Sequence, residues 1–143
     1  MDIRNFRWDD LENLVDCMNR HAEVYGSSHR VSVQQVESAW RAPYNDPLNN
    51  AFVAQDTKGK IIGYTIADLL DEPNYAYGVY QVLPDYPELS RALMQAAMQR
   101  FLDVAVANSA PDVSISMDWR LSEKDKEAIA FCEEQGYEQV RQF

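Results

Sequence analysis

The middle of the chain, from Ala51 to Leu83, is the part that most constrains the fold. Three segments rich in apolar, β-branched and aromatic residues follow one another here, namely Ala51–Gln55, Ile61–Leu70 and Tyr75–Leu83. Two short stretches with the Asp, Asn, Gly and Pro residues typical of turns separate them, at 56–59 and 71–74. Because short turns join antiparallel neighbours, the pattern predicts three consecutive strands in one antiparallel sheet.

Helical patterns precede these strands. A short candidate strand, Ile3–Trp8, comes first, and Asp9 with Glu12 then forms the capping-box pattern that starts a helix. The apolar residues of this helix recur every three or four positions, as Leu11, Leu14, Val15 and Met18. Ser32 with Gln35 repeats the capping pattern and predicts a second helix.

Helix and strand patterns alternate after the three strands. Asp85 with Glu88 predicts the cap of a long helix, within whose first turn Pro87 is tolerated because it has no N–H to satisfy. Val113–Met117 then alternates apolar and polar residues, as a half-buried strand does. The long helix between two strand patterns predicts a β-α-β unit.

One further helix and strand are predicted at the end. Ser122 with Asp125 predicts the helix start, and Gly136 predicts its end because glycine readily adopts the left-handed conformation found there. Residues 137–143 then predict the beginning of one more strand.

The predicted order is β-α-α-β-β-β-α-β-α-β, and residues 1–143 are expected to form a single domain. Hairpins in the middle and β-α-β units at the end predict an α/β (α+β) fold with a mixed, mostly antiparallel sheet flanked by helices. The GxGxxG and GxxxxGK[ST] motifs are absent from the sequence, which excludes the dinucleotide-binding and P-loop fingerprints.

The net charge of the chain excludes some classes of binding partner. The chain has 13 Lys and Arg against 23 Asp and Glu, a formal net charge of −10. Such a chain is repelled by nucleic-acid phosphates and by anionic membranes, so we expect neither as a partner. The sequence has no apolar run long enough to span a membrane, and Cys17 and Cys132 read as buried free thiols. We therefore expect a cytoplasmic protein.

Three stretches resemble the GCN5-related N-acetyltransferase (GNAT) superfamily when they are taken in order. Ile61–Tyr64 looks like the third strand of that fold, and Val82–Met94 looks like its fourth strand and the coenzyme A helix. Ala128–Tyr137 looks like the last helix and the Gly-aromatic step that follows it. The resemblance extends along essentially the whole chain and implies the GNAT fold.

The resemblance implies transfer of an acetyl group from acetyl-CoA to an amine. Strand backbone would contact the pantetheine and thioester, and N–H groups at a helix start would contact the pyrophosphate. The cofactor contacts that it implies fall at Val82, Leu83, Leu89, Ser90 and Arg91. Cys132 stands where family members often have a Tyr that protonates the leaving thiolate, so the thiol is the candidate acid, and a buried apolar role is its alternative.

The predicted pyrophosphate loop departs from the family pattern. Residues 87–90 contain no glycine, Pro87 has no N–H to donate, and Glu88 brings a carboxylate to the expected phosphate site. The sequence therefore predicts a degenerate coenzyme A loop. The alternative function is a non-catalytic module of the same fold, which would bind a small ligand or serve as the inactive half of a tandem acetyltransferase.

Aromatic residues on and after the last of the three central predicted strands, Tyr75–Leu83, suggest a small-ligand pocket, although strand propensity alone also explains them. They are Tyr75, Tyr77, Tyr80 and Tyr86, and the first two face away from Tyr80 unless a bulge intervenes.

Other polar residues carry weaker signals. His21 and His29 lack a Cys or second His at ligand spacing, so we expect no metal site and give both surface or helix-end roles. Asp68, Asp71 and Glu72 read either as a solvated turn or as an attraction for a cationic amine.

The sequence stops at Phe143, where the final strand of the family's sheet would be missing. A sheet edge left open exposes backbone groups that favour pairing. The expectation is therefore that a second copy of the chain, as a homodimer, or a second GNAT domain completes the sheet.

Overall fold

A single mixed sheet organises the chain. The computed structural model describes residues 2–69, 74–110, 112–121 and 125–138. Within them, strands β1 to β5 lie side by side in chain order. Their bounds are Asp2–Asn5, Ala51–Gln55, Ile61–Asp68, Tyr75–Val82 and Ser116–Trp119. Neighbours from β1 to β4 are antiparallel, and β5 is parallel to β4.

Helices cover both faces of this sheet. They are α1 (Leu11–Val24), α2 (Val33–Trp40), the short α3 (Pro47–Asn50), α4 (Leu89–Asn108) and α5 (Lys126–Glu134). On one face, Leu93 of α4 packs directly over Gly63 of β3. The next residue, Tyr64, points to the opposite face and meets Trp40 of α2, with ring centroids 6.2 Å apart.

The predicted fold class and the central strands are confirmed. Strand β2 has the predicted bounds, and the turn before β3 contains Gly59 at a φ of +84°. Ser32 and Gln35 form the predicted capping box, because each side chain accepts a hydrogen bond from the other residue's backbone N–H. Gly136 has a φ of +88°, as a helix end requires.

The predicted strand Val113–Met117 is displaced by about three residues. The structure begins β5 at Ser116, and Val113 and Ile115 are 43% and 39% exposed. Their alternation is typical of a strand, but the parallel register with β4 joins Tyr75 to Ser116, so the residues before Ser116 lie beyond the paired segment.

Two predicted caps are also wrong. At α1, Asp10 rather than Asp9 accepts the Arg7 N–H at 2.8 Å, and the helix begins at Leu11. At α4, the helix begins at Leu89 and the Glu88 side chain makes no capping bond, so Asp85 does not start it.

Some predictions concern residues beyond those described. Residues 71–73, Ser122 and 139–143 belong to this group, and Tyr137 and Glu138 are not part of a strand. The expected final strand and its completion by another domain or copy therefore stay predictions. Among the described helices, none combines the length and the apolar character that crossing a bilayer requires.

Candidate functional site

Strands β4 and β5 separate at one end, and this separation creates the candidate site. Their pairing ends where Gly78 meets Trp119, whereas β4 continues to Val82. The Trp119 ring lies directly over Gly78, so a Cβ there would be 2.6 Å from three ring atoms. The absence of a side chain at Gly78 lets this indole cover the last paired position, beside the opening.

The part of β4 beyond Gly78 presents backbone groups to the opening. Leu83 donates its N–H to the Ile62 carbonyl at 3.0 Å, on the β3 side. Because alternate residues of an antiparallel strand bond the same neighbour, Tyr80 and Val82 direct their N–H and C=O groups away from β3. These groups face the side on which β5 has ended.

Two adjoining cavities occupy the opening. The edge cavity has a volume of about 480 Å³ and the α4 cavity about 210 Å³. The edge cavity is lined by His21, Tyr25, Tyr77, Gly78, Val79, Tyr80, Gln81, Val82, Arg120, Leu121 and Asp125. The α4 cavity is lined by Tyr25, Val82, Leu83, Pro84, Pro87, Ser90, Asp125, Lys126 and Glu127. Since both lists contain Tyr25, Val82 and Asp125, the two cavities meet at these residues.

Asp125 is the central ionisable group of the site. One of its oxygens caps α5 by accepting the Ala128 N–H at 3.1 Å, and the other accepts the hydroxyl of Tyr80. Burial raises the pKa of Asp125, the Ala128 N–H opposes that shift, and the nearby charge of Glu127 adds to it. A carboxylate with a raised pKa is a better proton acceptor than an exposed one.

His21 and Tyr25 form the opposite wall of the edge cavity, at the end of α1. Their rings lie 4.5 Å apart between centroids, and burial lowers the pKa of His21, which favours a neutral imidazole near pH 7. The sequence prediction gave His21 a surface or helix-end role and missed its place at the cavity. The signal was available, because His21 and Tyr25 continue the apolar stripe beyond Met18 at steps of three and four.

Cys132, the candidate acid, lies away from both cavities. Its side chain is buried in a cluster with Met94, Ala128 and Phe131. Burial, together with the nearby charge of Asp125, raises the pKa of the thiol to about 11. Since an ordinary thiol has a pKa of about 8.5, Cys132 is a weaker acid than the thiol it would have to protonate. The geometry favours the alternative role, an apolar residue of the core.

Of the two strand residues predicted to hold a thioester, Val82 alone keeps its backbone available. Leu83 donates its N–H to Ile62 and accepts the Tyr86 N–H at 3.1 Å. Leu83 still lines the α4 cavity through its side chain. Of the two, only Val82 therefore directs its backbone groups to the opening, and Tyr80 shares its orientation.

The residues predicted to bind pyrophosphate are already bonded within the protein. Leu89 donates its N–H to Tyr86 and Ser90 donates to Pro87, at 3.1 and 3.3 Å, and both side chains are buried. Arg91, the predicted cation of the site, instead binds Glu127 and Glu134 at 2.5 to 3.0 Å. The N–H groups of Leu89 and Ser90 and the guanidinium of Arg91 are thus engaged within the protein.

The tyrosines divide as the alternation predicts. The register of β3 with β4 is continuous, so Tyr75 and Tyr77 face away from Tyr80. Tyr77 and Tyr80 nevertheless line the same cavity, because it lies at the strand's open edge. Tyr75 donates its hydroxyl to Asp118, and Tyr86 packs against the core.

The weaker polar candidates lie outside the site. Asp68 and His29 line neither cavity, and Asp71 and Glu72 fall outside the described residues. In the part of the chain that the structure describes, no three His, Cys, Asp or Glu side chains converge as metal ligands would.

Solved structures share this architecture at low sequence identity. A GCN5-related N-acetyltransferase from Sphaerobacter thermophilus aligns over 98% of this chain with a TM-score of 0.83 and 17% identity. A candidate acetyltransferase from Salmonella typhimurium, solved with its cofactor acetyl-CoA, covers 98% of this chain and 80% of its own, with a TM-score of 0.73 and 14% identity. A GNAT superfamily phosphinothricin acetyltransferase from Sinorhizobium meliloti, solved with acetyl-CoA, covers 71% of this chain and 60% of its own, with a TM-score of 0.58 and 16% identity.

These similarities confirm the predicted GNAT fold. By sequence alone, the chain matches no family model and no curated protein. It spans 44% of the length of the Sphaerobacter thermophilus chain.

Proposed function

We propose that this chain is a GNAT-fold N-acetyltransferase domain that transfers an acetyl group from acetyl-CoA to a small amine. The observation that supports this most is the edge cavity, where backbone groups of Tyr80 and Val82 face the same space as the half-buried carboxylate of Asp125. Structural neighbours with acetyl-CoA bound give the donor its chemical class.

The strand edge suits the thioester end of the donor. Negative charge grows on the carbonyl oxygen as an amine attacks it, and fixed N–H groups stabilise that charge. The N–H groups of Tyr80 and Val82 are the donors that we propose for this oxygen. They belong to a strand held by β3, so they need little rearrangement when charge develops.

Asp125 and Tyr80 suit the proton transfers. A C–N bond forms and the C–S bond breaks, while one proton must pass from the amine nitrogen to the leaving sulfur. We assign its removal to the Asp125 carboxylate and its delivery to the Tyr80 hydroxyl, which is hydrogen-bonded to Asp125. His21 lines the same cavity and is the second candidate for the base.

A cytoplasmic setting is part of the proposal. Cys17 and Cys132 are free and buried, which suits a reducing compartment.

The first test is release of free thiol from acetyl-CoA in the presence of a panel of small primary amines. We expect amine-dependent release that falls about 10²-fold or more in Asp125→Asn, the range typical of a lost general base. Asparagine caps a helix as well as aspartate does, so α5 is retained. Asp112→Asn, the same change at an exposed residue that lines neither cavity, is the control and should keep full activity.

The same measurements separate the alternative. A non-catalytic module would bind a ligand in the edge cavity without releasing thiol. Calorimetry that finds no saturable binding of acetyl-CoA at millimolar concentration, together with no release for any amine, would overturn the acetyltransferase proposal.

A further inference from the structure

Several backbone positions at the start of α4 cannot donate an N–H to an anion. A helix start binds phosphate because its first N–H groups have no partner. Here the chain enters α4 through consecutive turns, in which Leu89 and Ser90 donate to the carbonyls of Tyr86 and Pro87. Pro87 has no N–H, and Ser90 is only 4% exposed. A diphosphate would therefore meet a helix start at which two N–H groups, those of Leu89 and Ser90, are already bonded and a third position, Pro87, has none.

The cation of this region is also engaged. Arg91 donates from Nε to Glu127 and from both Nη atoms to Glu134, and its guanidinium lies 5.4 Å from the Phe131 ring centroid. We call Arg91, Glu127 and Glu134 the clamp. With one cation and two carboxylates, the clamp carries a net charge of −1. The clamp joins the first turn of α4 to α5 and engages Nε and both Nη atoms of the guanidinium.

The charges that line the α4 cavity do not compensate. Apart from Glu127, which the clamp already includes, the cavity is lined by Asp125 and Lys126, whose charges cancel, so the clamp's net charge of −1 remains. Glu88, immediately before α4, makes no capping bond that would occupy its carboxylate. An incoming diphosphate would thus approach a surface of its own sign.

The path for the rest of the donor remains open. Tyr80 and Val82 present backbone groups along β4, and the cavities that they line meet at Val82. A pantetheine arm is uncharged and has amide groups that pair with a strand edge.

We infer that the site recognises an acyl donor through its pantetheine arm alone, with the clamp of Arg91, Glu127 and Glu134 keeping the diphosphate end of coenzyme A out of contact with α4. The inference rests on the proposed function and specifies its donor. It makes Arg91 a residue that joins two helices rather than a phosphate ligand.

The test compares three donors by calorimetry on the intact chain: acetyl-CoA, S-acetyl-4′-phosphopantetheine and S-acetyl-pantetheine. We expect their dissociation constants to agree within about threefold, because the removed groups make no favourable contact. Acetyl-CoA binding 30-fold or more tightly than S-acetyl-pantetheine would overturn the inference and leave the proposed function standing. Failure of all three to bind would overturn both.

A double variant tests the clamp itself. Glu127→Gln with Glu134→Gln removes two negative charges and weakens the bonds that hold Arg91, so acetyl-CoA should bind at least tenfold more tightly while S-acetyl-pantetheine changes by less than threefold. Glu133→Gln, at the neighbouring exposed position of α5, is the matched control and should change neither. Retained S-acetyl-pantetheine binding shows that the double variant is folded.

Two outcomes would contradict the clamp. Unchanged acetyl-CoA affinity in the folded double variant would mean that these carboxylates do not exclude the diphosphate. A tenfold loss of acetyl-CoA binding in Lys126→Gln, with S-acetyl-pantetheine unaffected, would show that the diphosphate is bound by Lys126 after all.

Discussion

Two carboxylates that each immediately precede a helix, Asp10 before α1 and Asp125 before α5, have opposite electrostatic surroundings. Asp125 accepts its hydrogen bonds from the neutral Tyr80 hydroxyl and the Ala128 N–H, and burial raises its pKa. Asp10 is buried too, but the Arg4 guanidinium binds both of its oxygens at 2.8 Å. The first arrangement favours proton transfer, and the second favours stability.

Asp10 gives a pH-dependent prediction. Burial raises its pKa, but hydrogen bonds from Arg4 and the Arg7 N–H outweigh burial and hold the pKa below its usual value. The carboxylate therefore stabilises the fold above the unfolded pKa of about 3.9, and this contribution disappears as the pH falls through the lower folded value.

We expect Asp10→Asn to lower the free energy of unfolding by about 2 kcal/mol at pH 7, since hydrogen bonds to charged groups contribute in that range. Urea titrations at several pH values measure this, and the difference from the unmodified chain should shrink towards zero below the folded pKa. Asp9→Asn, at the exposed neighbour, should change stability by less than about 0.5 kcal/mol. A larger loss of stability for Asp9→Asn than for Asp10→Asn would contradict this prediction and would indicate that Asp9 caps the helix, as the sequence pattern predicts.

Among the secondary-structure elements, those defined by local sequence were predictable. The bounds of β2 and the Ser32–Gln35 box follow from short patterns whose hydrogen bonds lie within a few residues. The position of β5 depends on the parallel register with β4, across the whole of α4, and no pattern near Val113 records it.

The site was predictable to the same extent. Placement of the opening at Val82 follows from recognising β4, but the partners of Arg91 lie 36 and 43 positions away in the sequence. Those distant partners decide whether the guanidinium can meet a ligand. The sequence near α4 shows that Arg91 is charged, but it does not contain Glu127 and Glu134, the carboxylates that bind Arg91.

The contact between Gly78 of β4 and Trp119 of β5, where the pairing of these strands ends, gives a prediction about stability. A Cβ at Gly78 would be 2.6 Å from the Trp119 ring, so Gly78→Ala must displace the indole and lower the free energy of unfolding by about 1–3 kcal/mol. Gly63→Ala is the comparison, because a Cβ there would lie 3.1 to 3.2 Å from Leu93, Val82 and the Gln81 carbonyl, a milder crowding than at Gly78, and its loss should be smaller. Chemical unfolding of both variants measures this, and equal losses would contradict the packing argument.

At the scale of the whole molecule, α5 packs through a small buried cluster that is separate from the main core. Its Ala128, Phe131 and Cys132 pack against Met94 of α4, Tyr80 of β4 packs against the same cluster, and the clamp adds its ion pairs at the surface. The remaining sheet strands belong to larger clusters beneath α1, α2 and α4.

We therefore expect α5 to open separately from the sheet. Glu134→Gln removes the charge and replaces one of the two oxygens that accept hydrogen bonds from Arg91, so amide exchange in α5 should become a few fold faster while exchange in β2 and β3 stays unchanged. Hydrogen exchange followed by mass spectrometry measures this, with Glu133→Gln as the control. Equal acceleration in α5 and β3 would show that the two open as one unit.

The parallel pairing of β4 with β5 also bears on how the chain folds. Strands β2, β3 and β4 are joined by short connections and can pair early, whereas β5 can pair only after the chain has passed through α4 and returned. The opening at Tyr80 and Val82 exists only once that return is made. The ligand site is therefore assembled after the β2–β3–β4 pairing, and a chain in which only those three strands have paired would still be unable to bind.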